Sequence, residues 1–402
     1  LLAFTVALEA VLALVPLALG DRIGLFAAYT RQMASLGFST LVATWFLVTT
    51  AVVLPAAVVA GYQFPVLFAL LGTGRARVAR QVGLTYAFNT AGSIVGALAV
   101  GFVLMPRFGA VGVWKFVGGV LVVLALLLVI LEVLRARREG LRRVSWALAT
   151  GALAVWLLGS EGPTAITRHT PIGAGRVNLA GLDKNEVRDW SHRTRLRLLW
   201  ERDGVESSLG VAHGNGLTFL VSGKADGAVY GDRGTQALSG VIPALLHDGV
   251  KNAFVLGLGT GMTAGWLSSV PGVEHVDVAE LEPAIIEVAR GAAAANQNVL
   301  ERPNVHLFVG DGREFLLTGE RKYDLLVSEP SNPYRAGVAS LFTREFYTAA
   351  AARLSPNGVF AQWVQGYEID VQTLRIVLVT LRSVFHFVEA WQTQGGDMLM
   401  LA

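Results

Sequence analysis

Four short motifs rich in glycine and carboxylates lie between positions 252 and 365, and these are residue types that can hold a ligand and move a proton. The motifs are VLGLGTGM (255–262), AELEP (279–283), GDG (310–312) and VSEPSNP (327–333). Each one follows an apolar run typical of a strand and precedes a helical pattern, which is how an open α/β sheet presents its ligand-binding edge. The sequence therefore predicts a nucleoside site at one edge of a sheet.

The first three motifs supply the residues expected to bind the nucleoside. Glycine permits a tight bend and a close approach of ligand to backbone, and three glycines occupy the first turn: Gly257, Gly259 and Gly261. The turn alone is not specific, because NAD-dependent proteins and methyltransferases share it. Glu280 ends the next strand, where a carboxylate can accept hydrogen bonds from two ribose hydroxyls. Asp311, followed by Gly312, ends the third strand, where it can accept from the adenine amine; the plainer alternatives are an exposed strand end and a turn.

The elements that must position these residues alternate along the chain. Strands are predicted at 252–258, 275–281, 304–310, 323–329 and 358–364. Helices are predicted at 261–270, 283–296, 343–354 and 370–385. This alternation predicts a doubly wound parallel sheet. Upstream, a small antiparallel sheet is predicted from 196–204, 207–213 and 217–223, followed by a helix at 234–247.

The first 160 residues are apolar enough to predict about five membrane spans. The spans are expected at 1–19, 40–61, 82–105, 110–134 and, shorter than the others, 144–160. The apolar run 62–72 either extends the second span or re-enters the bilayer. Leu1 lies inside an apolar run without an initiator Met, so the natural start of the protein stays open.

Basic residues cluster beside these apolar runs and indicate how the protein is oriented. The motifs RARVAR (75–80) and RARREGLRR (135–143) are predicted to be cytoplasmic loops by the positive-inside rule. A full crossing at 144–160 would then place the C-terminal domain outside, whereas the Arg-rich stretch 160–202 favours the inside. We expect an integral membrane protein with a cytoplasmic C-terminal domain.

The bulk composition excludes several classes of protein. Of the 402 residues, 53% are hydrophobic and 16% are charged, which is too apolar for an ordinary soluble enzyme. The chain has no Cys, which excludes disulfides, zinc–thiolate sites and a cysteine nucleophile. Its histidines lack metal-ligand spacing, so no metal is expected. The net charge of +3 comes mainly from basic residues in short loops, so nucleic acid is not an expected partner either.

The motifs in combination resemble the spermidine synthase (polyamine aminopropyltransferase) family, in its membrane-fused bacterial branch. The resemblance covers about 205–365 and rests on DRGTQALSGVIPALLH, VLGLGTGM, AELEP, GDGREFL, YDLLVSEPSNP and SLFTREFY with GVFAQW. The apolar segments YAFNTAGSIVGALAVGF and LMPRFG are similar to that branch's membrane region.

The resemblance implies an N-terminal α-helical transmembrane region, a small β domain and an α/β Rossmann-like (class I methyltransferase-type) catalytic domain. We place these parts at 1–160, 161–250 (with a linker) and 251–402. Family members transfer the aminopropyl group of decarboxylated S-adenosylmethionine to an amine such as putrescine and release 5′-methylthioadenosine. A homodimer is usual in the soluble family, and the lipid bilayer is the other partner expected here.

Site roles carry over by position from this resemblance. Glu280 matches the ribose-binding glutamate, Asp311 the adenine-contacting aspartate and Gln236 a glutamine of the substrate pocket. Glu329 stands where the family has its catalytic aspartate, which takes a proton from the attacking amine. An amine needs a free lone pair to attack, so a base at this position is chemically reasonable. The alternative is a structural carboxylate paired with Arg335.

The sequence also departs from the family pattern. Thr260 and Asn332 replace two aspartates, and Thr235 replaces a tyrosine. The lost groups hold cationic amines in the family, so their absence weakens the expectation of a polyamine acceptor and of a decarboxylated donor. Acids such as Asp226 or Asp232 could compensate. The predicted substrate pocket consists of Gln236, Thr260, Asn332 and Tyr334.

Three other functions remain open at this point. Intact S-adenosylmethionine could react with its own amine or carboxylate, in a cyclase or lyase that needs no separate acceptor. A methyltransferase would use the same donor and release S-adenosylhomocysteine. A sensor or transporter would bind a nucleoside or polyamine without turnover and would not need Glu329 as a base.

Overall fold

The computed structural model describes residues 1–71, 78–172, 176–214, 216–335 and 337–402, and along 135–143 it describes the backbone alone. The chain divides into two compact units. Unit 1 comprises Leu1–Leu196 with Ser222–Lys224, and unit 2 comprises Arg197–Val221 with Ala225–Ala402.

Unit 1 is helical, as its apolar sequence predicts. Its helices are α1 (Leu2–Leu19), α2 (Asp21–Thr30), α3 (Phe38–Leu71), α4 (Val78–Ala99), α5 (Met105–Leu158), α6 (Ala165–Arg168) and α7 (Lys184–Arg197). The run 62–71 extends α3, which settles the choice left open for this segment. In the predicted loop at 75–80, residues 75–77 lie outside the described residues.

Three helical segments are long and apolar enough to cross a bilayer, judged by length and composition: Leu2–Leu19, Phe38–Leu71 and Val78–Leu134. Val144–Leu158 is apolar but shorter. The expectation of about five spans stays a prediction, because one helical segment of this length can hold more than one span. The spans predicted at 82–105 and 110–134 share one helical segment, because π-helical residues Val100–Leu104 join α4 to α5.

The predicted loop at 135–143 stays a prediction, because no side chain of these residues is described and α5 is recorded as the single element Met105–Leu158 that includes them. A straight helix of 54 residues would hold its ends about 80 Å apart. Yet one cluster joins α1 to both ends of α5: Leu14, Leu17, Val111, Trp114, Ala154 and Leu157. A second cluster joins the start of α1 to the middle of α5: Ala3, Val129, Val144 and Ala147. The path of α5 therefore reverses between 129 and 144.

Unit 2 begins with a four-stranded sheet whose strand order follows the sequence: β1 (Leu198–Asp203), β2 (Ser208–Gly214), β3 (Gly216–Val221) and β4 (Lys224–Ala228). The antiparallel pairing of β1 with β2 and of β2 with β3 confirms the predicted small sheet. Helix α8 (Arg233–Leu246) follows, close to its predicted bounds.

The rest of unit 2 is an α/β domain. Its strands are β5 (Asn252–Leu256), β6 (His275–Glu280), β7 (Val305–Val309), β8 (Tyr323–Ser328), β9 (Leu354–Gln365), β10 (Glu389–Gln392) and β11 (Asp397–Leu401). Its helices are α9 (Met262–Leu267), α10 (Ile285–Gly291), α11 (Gly312–Thr318), α12 (Arg344–Arg353) and α13 (Val371–Arg382). The five predicted strands are confirmed.

The seven strands form one mixed sheet in the order β10-β11-β9-β8-β5-β6-β7. The strands β5 to β9 pair in parallel, whereas β11 is antiparallel to β9 and β10 is antiparallel to β11. The predicted all-parallel sheet is therefore wrong at one end. The C-terminal ends of the parallel strands meet the start of β11 at a single edge, and this edge carries the predicted site.

The reversal of α5 can be tested by crosslinking, because the natural chain has no Cys. A Cβ atom built at Gly118 would lie 2.6 Å from the Leu14 side chain, so cysteines at these positions should crosslink with a short bis-maleimide. We expect Leu14→Cys to crosslink equally well with Ala154→Cys, which lies in the same cluster. The Leu14→Cys and Val133→Cys pair is the negative control. A missing crosslink to position 154, with the one to 118 present, would contradict the reversal.

Candidate active site

The glycine turn joins β5 to α9 and has the backbone that its sequence predicts. Gly257, Gly259 and Gly261 have φ values of 98°, 52° and 77°, which is the left-handed region that favours glycine. A Cβ atom at Gly257 would lie 3.1 Å from the backbone oxygen of Glu329. The strand ends can approach this closely because Gly257 has no side chain.

Glu280 lies at the end of β6, beside that turn. One carboxylate oxygen accepts from the backbone N–H of Leu258 and the other from that of Glu282, each at 2.9 Å. Burial raises the pKa of Glu280, and these amide hydrogen bonds oppose the shift. The carboxylate is thus fixed against the glycine turn, which is where a ribose-binding group is expected.

Asp311 lies just after β7 and caps α11. Its carboxylate accepts from the backbone N–H of Arg313 at 2.9 Å and forms an ion pair with the Arg313 side chain at 2.6 Å. The Arg313 guanidinium holds the pKa of Asp311 below its usual range. Both the capping role and the adenine-contacting role are compatible with a carboxylate one-third exposed, so the adenine contact stays a prediction.

Glu329 follows β8 and faces the same edge of the sheet. Burial raises its pKa to about 7, and the nearby negative charges of Asp397 and Asp232 add to this effect. The suggested pairing of Glu329 with Arg335 is wrong, because the Arg335 guanidinium lies 2.6 Å from the Asp226 carboxylate. Asp226 is therefore neutralised by its own partner and does not compensate for the lost family acids.

The Thr263 hydroxyl reveals how Glu329 can hold its proton. This hydroxyl lies 2.5 Å from Glu329 Oε2 and 2.9 Å from the backbone oxygen of Gln236. A hydroxyl has one proton to donate. When it donates to the carbonyl of Gln236, it can only accept from Glu329, which requires a protonated carboxyl group. The geometry thus accommodates both protonation states of Glu329.

Two of the four predicted pocket residues contact each other. Gln236 and Thr260 are buried, and the Thr260 hydroxyl donates to the side-chain oxygen of Gln236. Asn332 is fully buried, and neither of its side-chain polar atoms has a partner among the described residues. Tyr334 is 57% exposed, so it does not line a closed pocket in this structure.

Sequence reasoning missed Thr263 and Asp397. Asp397 begins β11, and its Oδ2 accepts from the Thr235 hydroxyl at 2.8 Å. The signal for Asp397 was an acidic residue at the head of a short apolar run, DMLML. Thr263 had no signal beyond its place after the glycine turn. Within the described residues, no group of three or more His, Cys, Asp or Glu has the geometry to hold a metal ion.

A mixed seven-stranded sheet with a glycine turn and carboxylates at its strand ends defines a Rossmann-type α/β domain of the methyltransferase-like kind. Residues 235–393 match the family described as the spermine/spermidine synthase domain. The chain therefore contains a spermine/spermidine synthase domain, which confirms the predicted resemblance to that family.

The chain is also similar to individual relatives. It is 29% identical over 337 residues to the polyamine aminopropyltransferase of Mycobacterium tuberculosis, covering 82% of this chain and 60% of that protein. It is 32% identical over 151 residues to the one of Nitrosomonas europaea, covering 37% and 46%. Against the first of these, the chain spans less than two thirds of the relative's length. A solved spermidine synthase from Thermotoga maritima superposes with a TM-score of 0.47 at 19% identity, covering 51% of this chain and 72% of that one.

The raised pKa of Glu329 predicts a pH-dependent effect on stability. Below its unfolded pKa of about 4.5 the group is neutral in both states, so burial costs little. Above about 7 the buried group is ionised, which destabilises the folded state by about 3 kcal/mol. Glu329→Gln should therefore gain stability over the natural protein as pH rises from 5 to 8. Thermal unfolding in detergent measures this, with exposed Glu274→Gln as the control. A stability difference between the variant and the natural protein that stays constant with pH would contradict the raised pKa of Glu329.

Proposed function

We propose that the protein is an aminopropyltransferase that uses decarboxylated S-adenosylmethionine, with Glu329 as its general base. The observation that carries this proposal is a desolvated carboxylate with a pKa near 7 beside the glycine turn, at the position of the family's catalytic acid. A general base works best when its pKa lies near the operating pH.

In the proposed reaction, the lone pair of a neutral amine attacks the aminopropyl carbon bonded to sulfur. The new C–N bond forms as the C–S bond breaks, and the bonding pair of electrons moves to the sulfonium. Sulfur leaves as the neutral thioether of 5′-methylthioadenosine, and Glu329 takes the proton that the amine must lose. Glu280 would hold the ribose and Asp311 the adenine, with the glycine turn against the nucleoside.

The protonation of Glu329 would be coupled to the charge of its substrates. Without ligands, burial and two neighbouring acids favour the protonated form. A bound sulfonium is a positive charge, and an opposite charge within a few ångströms stabilises the carboxylate. Donor binding would therefore lower the pKa of Glu329 and prepare it to accept a proton.

The charges around Glu329 favour the decarboxylated donor over the intact one. Glu329 lies within electrostatic range of Asp232 and Asp397, so the site is acidic. The carboxylate of intact S-adenosylmethionine would meet like charges there. The Thr260 hydroxyl, the group that could otherwise bind that carboxylate, already donates to Gln236.

Glu329→Gln tests the catalytic role. We expect the natural protein to form 5′-methylthioadenosine from decarboxylated donor plus putrescine, and the variant to lose about 10²- to 10⁴-fold in kcat. Exposed Glu274→Gln is the matched control, and chromatography of the nucleoside products is the measurement. Intact donor and amine-free reactions are run in parallel.

Each of the other possible product patterns would identify a different function. 5′-Methylthioadenosine from intact donor without an amine would establish a cyclase or lyase. S-Adenosylhomocysteine would establish a methyltransferase. If no product forms under any condition, the protein is a binding protein and the proposal is overturned.

We also propose that unit 1 anchors the protein in the bilayer, as in the membrane-fused branch, with the catalytic domain in the cytoplasm. Three apolar segments of sufficient length support the anchor. Val144–Leu158 has 15 residues and covers about 22 Å, short of the roughly 30 Å hydrocarbon core. It therefore need not carry the following domain across the membrane.

Cysteine labelling tests this orientation, because the natural chain has no Cys. Glu274 is exposed on unit 2, so Glu274→Cys is accessible on whichever side that unit occupies. We expect a membrane-impermeant maleimide to label it in inside-out vesicles and not in intact spheroplasts of the expressing bacterium. The reverse pattern would place the domain outside, and recovery of the protein without membranes would refute the anchor.

A further inference from the structure

Helix α7 carries a row of basic side chains along one side. Lys184, Arg188, His192 and Arg195 follow one another at spacings of four, four and three residues, which places their side chains on one face of the helix. These four residues form the basic stripe, and all of them are exposed. No member of the stripe forms an ion pair or a side-chain hydrogen bond with another residue that the structure describes.

The acids of α7 lie away from the basic stripe. Glu186 is engaged in the cap that begins the helix, where its carboxylate accepts from the backbone N–H of Asp183 at 2.8 Å. Asp189 lies four residues before Arg193, at the spacing that lets two helical side chains meet. Within the stripe, by contrast, like charges are four residues apart, and this spacing of like charges destabilises a helix. The stripe is therefore complementary to an anionic partner outside α7.

The other side of α7 packs against α2. Val187, Trp190 and Thr194 are half-buried and spaced by three and four residues, so they form the inward-facing side of the helix. Trp190 packs on an apolar cluster that includes residues of α2: Leu25, Ala28, Ile172 and Leu179. This contact fixes α7 to α2 and leaves the basic stripe exposed.

Helix α2 begins where the first candidate span ends. That span, α1, ends at Leu19, and Asp21 is the first residue of α2. The Asp21 carboxylate accepts from the backbone N–H of Thr164 at 2.7 Å and from the Thr167 hydroxyl at 2.6 Å, so the chain that follows α5 is held at the same point. From Asp21 to Ala28, α2 rises about 10 Å, which is close to the range of electrostatic attraction at physiological salt. With α1 in the bilayer, α7 is thus a juxtamembrane helix.

We propose that the basic stripe of α7 binds the anionic headgroups of the bilayer in which unit 1 is anchored. This inference rests on the proposed anchor and is independent of the proposed reaction. The ammonium of Lys184 and the guanidinium groups of Arg188 and Arg195 would donate to phosphate oxygens, and juxtamembrane clusters of Lys and Arg are attracted to anionic lipids in this way. Anionic lipids concentrate in the cytoplasmic leaflet, so the stripe would favour an orientation with α7 on that side.

Energy transfer from α7 to labelled lipids tests the proposal in the full chain. The natural chain has no Cys, so a donor dye can be attached at Asn185→Cys, an exposed position next to the stripe. The protein is reconstituted in phosphatidylcholine vesicles that contain the same small fraction of acyl-labelled phosphatidylglycerol or acyl-labelled phosphatidylcholine. We expect more transfer to phosphatidylglycerol, because the anionic lipid is enriched around α7. The difference should shrink in 1 M salt, where the Debye length is about 3 Å.

Two variants on different sides of α7 locate the enrichment. Arg188→Gln removes one charge from the stripe and should lower the phosphatidylglycerol enrichment about fivefold. Arg193→Gln removes one charge from the same helix outside the stripe and is the matched control, which should keep most of the enrichment. Equal transfer to the two lipids in the natural protein would overturn the proposal. An equal loss in both variants would also overturn it, since the charge of the whole helix would then attract the lipid.

A second stripe variant covers a failure of Arg188→Gln to fold. Lys184→Gln removes a different charge from the stripe and should give the same loss of enrichment, and thermal unfolding reports whether each variant is folded. Binding of a short RNA to the natural protein in detergent is measured in parallel. RNA binding that Arg188→Gln weakens, without any lipid enrichment, would assign the stripe to nucleic acid and refute the proposal.

Vesicle sedimentation separates this inference from the proposed anchor. If the protein is recovered without membranes, the anchor fails, and its binding to phosphatidylglycerol or phosphatidylcholine vesicles decides the stripe alone. Binding to the anionic vesicles that Arg188→Gln weakens and Arg193→Gln keeps would support the stripe. Equal binding to both kinds of vesicle, or binding to neither, would refute it.

Discussion

The cost of burying carboxylates at one edge of the seven-stranded sheet governs the chemistry of this domain, because an ionised oxygen removed from water needs donors or a counter-charge. Glu280 receives two backbone amides, and Asp226 receives the Arg335 guanidinium. Glu329 has one hydrogen-bond donor, the Thr263 hydroxyl. The backbone carbonyl of Gln236 competes for the same hydroxyl proton. This shortage of donors explains why burial raises the pKa of Glu329 to about 7. Burial raises the pKa of both Glu280 and Glu329, and the hydrogen-bond donors at each strand end oppose that shift.

Backbone hydrogen bonds extend the sheet past its regular strands and fix where those carboxylates lie. The N–H of Gly257 donates to Ala279 at 2.9 Å, and the N–H of Glu329 donates to Leu256 at 3.1 Å. Gly310 donates to the backbone oxygen of Glu280 at 2.8 Å. The site geometry is therefore inherited from the rigid sheet, which is the kind of support that a preorganised site requires.

The α/β core was predictable because parallel strands covered on both faces read as continuous apolar runs. The central strands β5 and β8 follow this rule, whereas the edge strand β7 is largely exposed. The antiparallel end of the sheet could not be predicted in this way. Its strand β10 consists of four exposed residues, EAWQ, in which apolar and polar residues do not alternate. Its pairing depends on β11, and nothing local specifies that a strand will add to a sheet edge.

The same distinction between local and long-range information applies to the site. Glu280 and Glu329 follow strand ends and can be found by counting along the sequence, whereas the pairing of Asp226 with Arg335 joins residues 109 apart. The acidity of the pocket is also a long-range property, since charges act over several ångströms and their strand of origin does not matter. Thr260 closes onto Gln236 while Asp397 brings its charge from β11. The charge of a site therefore has to be summed in three dimensions before its substrate is inferred.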